Sequence, residues 1–111
     1  MNTADRLYDQ AAGVLNVARR FHTAAGEPDA HLAAPESLDA LEEALTALSG
    51  AWYQLAADSS RQGDALSREQ QVVLLGTMHD VAAALARAAR VCRDARTRVT
   101  PLVDPRLASA A

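Results

Sequence analysis

Lysine and isoleucine are absent from this chain of 111 residues, and aromatic residues are scarce, at one Trp, two Tyr and one Phe. Strands draw on β-branched and aromatic side chains, so this shortage argues against an all-β fold. A single cysteine, Cys92, excludes an intramolecular disulfide. No run of 18 uninterrupted apolar residues occurs, which leads to the expectation that nothing spans a membrane and that no membrane is a partner. The first ten residues carry Asp5 and Asp9 and lack the basic-then-apolar order of a secretory signal. The expected location is the cytoplasm, with signal-independent secretion as the alternative. The missing lysine has a plain reading. Ala, Arg, Gly and Pro use GC-rich codons and Lys and Ile use AT-rich ones, so a GC-rich bacterial genome accounts for it. An arginine-only set of cations is then no sign in itself of phosphate binding.

What is present points to helix. Alanine fills 26 positions, half of the residues are hydrophobic, and the net charge is only −3. That balance argues against disorder, and the alanine and leucine content favours helix. The length suits one domain, expected over residues 1–100, followed by an irregular tail over 101–111.

Three periodic segments stand out. In the first, about 4–25, the residues Leu7, Ala11, Val14, Ala18, Phe21 and Ala25 recur every three or four positions and so share one helical face. Asn2 or Thr3 is placed to cap it, and Gly26 to stop it. Pro28 and Pro35 bound a break in which a single turn near Asp29–Ala33 fits. The second segment, about 36–60, has the cleanest stripe: Leu38, Leu41, Leu45, Leu48, Trp52 and Leu55. It fades towards Gly63. The third, about 68–99, opens on Ser67-Arg68-Glu69-Gln70, which fits the capping box. Its stripe runs through Leu74, Met78, Val81, Leu85, Ala88, Cys92, Ala95 and Val99, and Pro101 is expected to end it. The fold expected is all-α, an antiparallel three-helix up-down-up bundle that associates into a larger helical assembly. Alanines alternating with large residues imply helices packed at the short end of the usual 8–10 Å separation.

Charge follows the same plan. Residues 1–64 hold 10 acidic and 4 basic side chains, and residues 65–111 hold 4 acidic and 7 basic. The antiparallel bundle places the basic end of the third helix beside the acidic start of the second. Arg87, Arg90 and Arg93 lie close together along one helix and are candidates for contact with an anion or an acidic partner. Asp94 within the cluster, the lack of interleaved aromatics and the acidic chain argue against nucleic acid, which stays as an alternative reading.

The apolar run Val72-Val73-Leu74-Leu75 covers about 300° of a helix, more than one bundle core can bury. With Leu74 and Leu75 inward, Val72 and Val73 face outward. Val17 and Tyr53 also fall off their stripes. These four residues, Val17, Tyr53, Val72 and Val73, are the expected interface with a second copy or a helical protein partner. Trp52 is expected in the core, and Cys92 to pack as a small hydrophobe. His22, His31 and His79 do not converge by spacing, so no metal is expected. No phosphate loop, nucleophile elbow or paired-carboxylate signature occurs, and neither a cofactor nor an enzymatic activity is expected.

In length and composition alone the chain is similar to the small helical-hairpin secretion substrates that carry Trp-x-Gly at a central turn. Here the order is reversed, Gly50-Ala51-Trp52, and lies inside a helix. No membership of that family follows.

Overall fold

The computed structural model describes residues 2–61 and 66–103, with Ser60 and Arg61 described by their backbone alone. Among these residues the secondary structure is helical, with three α-helices, one short 3-10 turn and no strand. The all-α expectation holds. The chain divides into two units, Met1–Ala33 and Ala34–Ala111. The expected break at Gly63 and the tail from Asp104 onward lie outside the described residues.

The first unit holds α1, Thr3–Ala24. Asn2 is extended, and its Oδ1 accepts from the Asp5 amide at 2.8 Å. Asn2, rather than Thr3, is therefore the cap. Asp5 in the first turn adds a negative charge where the helix dipole favours one. The helix closes with the Gly26 amide donating to the Thr23 carbonyl at 3.2 Å. Gly26 does not take a left-handed conformation; that role falls to Asp29, at φ 64°. Asp and Asn tolerate this region better than other non-glycine residues because their short polar side chains bond locally. The turn at Ala30–Ala33 follows at once, with the Leu32 amide donating to the Asp29 carbonyl. No residue of α1 is buried.

The second unit is a helical hairpin. Helix α2 spans Ala34–Arg61, with Pro35 in its first turn, where a missing amide hydrogen costs nothing, and Glu36 beside it. Helix α3 spans Arg68–Val103. Its capping box forms as the sequence implies: Gln70 N donates to Ser67 Oγ at 3.1 Å, and Ser67 N donates to Gln70 Oε1 at 2.9 Å. Its end differs from expectation. Pro101 does not stop the helix but sits in its last turn, and Leu102 and Val103 are helical. A proline removes one backbone bond and crowds the carbonyl four residues back. So near the terminus only the final turn bears that cost.

The two helices run antiparallel, since later residues of α2 meet earlier residues of α3. Glu42 meets Arg93, Ser49 meets Ala82, and Ser59 meets Met78. The line of closest packing is made of small residues. Ser49 and Ala56 on α2, and Ala82 and Ala89 on α3, are buried, and each pair is seven residues apart. Seven residues make nearly two whole turns, so each pair stacks on one line. Without large side chains the axes approach until the Ser49 hydroxyl donates to the Ala82 carbonyl at 2.7 Å. On α3 this seam lies one residue round from the expected stripe. Val81 and Ala88 of that stripe flank the seam, and Ala82 and Ala89 form it.

Candidate interaction surfaces

Close packing along small residues pushes the large ones to the side. Leu45, Leu48, Trp52 and Leu55 of α2, and Met78, Val81, Leu85 and Cys92 of α3, are only half-buried. Counted from Ser49 and from Ala82, both sets lie the same way round their helices. In an antiparallel pair, equal rotations fall on the same side, so the hairpin has one leucine-rich side. Trp52 therefore borders the seam and is not enclosed by it.

The other side is polar. Arg93 Nε donates to Glu42 Oε1 at 2.7 Å, and Arg96 Nε lies 3.8 Å from Asp39 Oδ1. The hydrogen bond that Arg93 donates to Glu42, and then the Glu42 charge, raise the Arg93 pKa above its usual value. Tyr53 projects to this side, where its ring lies 5.8 Å from that of His79. The contact is cross-helical and aromatic, and it absorbs a tyrosine that the leucine stripe leaves out. Spacing within either helix alone does not reveal it.

The arginine candidates divide. Arg93 is committed to Glu42 within the hairpin, whereas Arg87 and Arg90 are exposed on α3. The apolar candidates stay outside. Val72 is 64% and Val73 68% exposed, while Leu74 and Leu75 turn inward and are half-buried. Val73 joins Leu66, Glu69, Gln70, Leu74 and Thr77 around a shallow open depression at the start of α3. Tyr53 is exposed, and its ring contact is with His79, not with the valines. Val17 is exposed on α1, in the first unit. Val91, 65% exposed on the outer face of α3 away from every stripe, escaped sequence reading.

Among the described residues no group of three or more His, Cys, Asp or Glu side chains is gathered closely enough to hold a metal. By length and composition alone α3 is apolar enough to cross a membrane, since an 18-residue stretch reaches a mean hydropathy of 1.4. The sequence expectation looked for an uninterrupted apolar run and did not register this. Exposed Asp80 and Arg87 near the middle of α3 work against such a role, because each charge at a bilayer centre costs about 2.5–3.5 kcal/mol.

No protein-family model matches the chain, and neither a curated protein nor a solved structure does.

Proposed function

We propose that this chain is a non-enzymatic helical interaction module that associates through apolar surface on α3 with a second copy of itself or another helical protein. The observation that carries this reading is the exposure of Val72 and Val73, at 64% and 68%, on a hairpin that buries only small side chains. Among the described residues the buried side chains are Pro35, Ser49, Ala56, Ala82 and Ala89, and no large apolar side chain is fully buried. Fully burying a Leu, Val or Phe side chain contributes about 1.5–3 kcal/mol, and an alanine much less. A hairpin with an alanine core therefore leaves most of its hydrophobic stabilisation unrealised.

In the proposed arrangement the stripe of α1 lies along the leucine-rich side of the hairpin, which makes the up-down-up bundle. The surface left over on α3, at Val72 and Val73, then meets another helix, with Tyr53 at its margin. Exposed Arg87 and Arg90 favour an acidic protein contact over nucleic acid, because the third arginine is already paired and no aromatic stands beside them. The cytoplasm is the proposed location.

The test is a substitution at an exposed position. Val73→Glu is expected to reduce the mass in solution towards that of one chain while the helical circular dichroism is kept. A mass unaffected by Val73→Glu, with the wild type oligomeric, would move the interface elsewhere. A wild type that is monomeric at all concentrations, and stable, would overturn self-association.

A further inference from the structure

The outer face of α3, opposite its seam with α2, carries charges in a repeating order. Glu69 and Asp80 are 11 residues apart, and so are Arg87 and Arg98. Eleven residues are almost three whole turns, so each pair lines up along the helix. Counted at about 100° per residue, all four fall within one narrow strip. The first half of the strip is acidic and the second half basic, with Asp94 the one acidic residue at the edge of the basic half. All four side chains are exposed, and among the described residues none has an ion-pair partner. Val73 and Val91, two of the most exposed apolar residues of the hairpin, lie beside the same strip, with Ala84 between them.

We infer that two copies pair α3 against α3, antiparallel, about a two-fold axis that passes between Ala83 and Ala84. This rests on the self-association proposed above and specifies its geometry. The inference follows from a single register. When Asp80 faces the partner's Arg87, equal spacing makes Glu69 face the partner's Arg98. The two-fold axis repeats both pairs, giving four ion pairs. Residues on the same rim meet across an antiparallel helix pair, which this strip satisfies. At the centre Ala84 allows close approach, and Val91 comes level with the partner's Gly76. A Cβ built on Gly76 meets nothing within 4 Å inside the chain, as is also the case at Gly13 and Gly50. In mid-helix, glycine is destabilising relative to alanine. The register also leaves the leucine-rich side of each hairpin free for α1.

Charge reversal tests this directly. Asp80→Arg sets like charges across the axis twice, as does Arg87→Asp, and each is expected to weaken dimerisation about tenfold or more in sedimentation equilibrium at low salt. The double variant Asp80→Arg/Arg87→Asp restores opposite charges and is expected to recover the wild-type dimer. All are exposed positions, and circular dichroism checks that each variant stays helical. If the single variants dimerise as the wild type does, or the double variant fails to recover, this register is wrong while self-association stands. If the wild type itself is monomeric, the inference falls together with the reading it rests on.

Discussion

Ser49 and Ala82 hold the hairpin at its narrowest point. The Ser49 hydroxyl is buried and bonded to a carbonyl of the facing helix, so Ser49→Ala removes one cross-helix bond without stranding a donor. A net loss of about 0.5–1.5 kcal/mol is expected, measurable as a lower denaturant midpoint. Ala82 has no exposed surface at all, and a larger side chain there must push the helices apart. Ala82→Leu is expected to destabilise the hairpin by about 1–3 kcal/mol, and by more if the Ser49 bond breaks as well. The control is Ala57→Leu, at an exposed position on α2, expected to stay within about 0.5 kcal/mol of wild type. Equal effects at the two sites would contradict a small-residue seam. The Arg93–Glu42 pair is short but solvent-exposed on the arginine side, so Glu42→Gln is expected to shift the midpoint less than Ser49→Ala does.

At the level of the elements, the parts with local physical causes were legible. The leucine stripe from Leu38 to Leu55 announces α2, and Ser67 with Gln70 announces the start of α3, because each signal is a repeat or a cap within one helix. Ser67→Ala is expected to cost about 1 kcal/mol, seen in thermal denaturation, since it leaves the Gln70 amide without its acceptor. The rest has other causes. Pro101 lies inside α3, where a missing backbone bond to one carbonyl is carried by a helix of 36 residues. Gly26 follows the end of α1 as expected, and Asp29 takes the left-handed conformation at the turn into Ala30–Ala33. The seam of α3 falls on Ala82 and Ala89, since closest approach is decided by the smallest residues of two helices together. A stripe scored by hydrophobicity alone favours the larger neighbours.

For the whole molecule, the sequence shows an acidic first part and a basic last part, and the hairpin places α2's Asp39 and Glu42 against α3's Arg96 and Arg93. The exposed candidates were legible for the same reason: four apolar residues in a row cannot all face one seam, and Val72 and Val73 are the two left outside. Val91 was legible by its place off the α3 stripe and went unread, whereas the Tyr53–His79 contact depends on where a second helix stands. These surfaces share one account, in which Val72, Val73 and Val91, left outside on α3, are covered by a second copy of the chain. Its most direct test is the mass of the intact wild-type chain by sedimentation equilibrium across a wide concentration range. The account predicts a species of at least twice 11.8 kDa that dissociates on dilution and with added salt. A cooperatively folded species of 11.8 kDa at every concentration would contradict it.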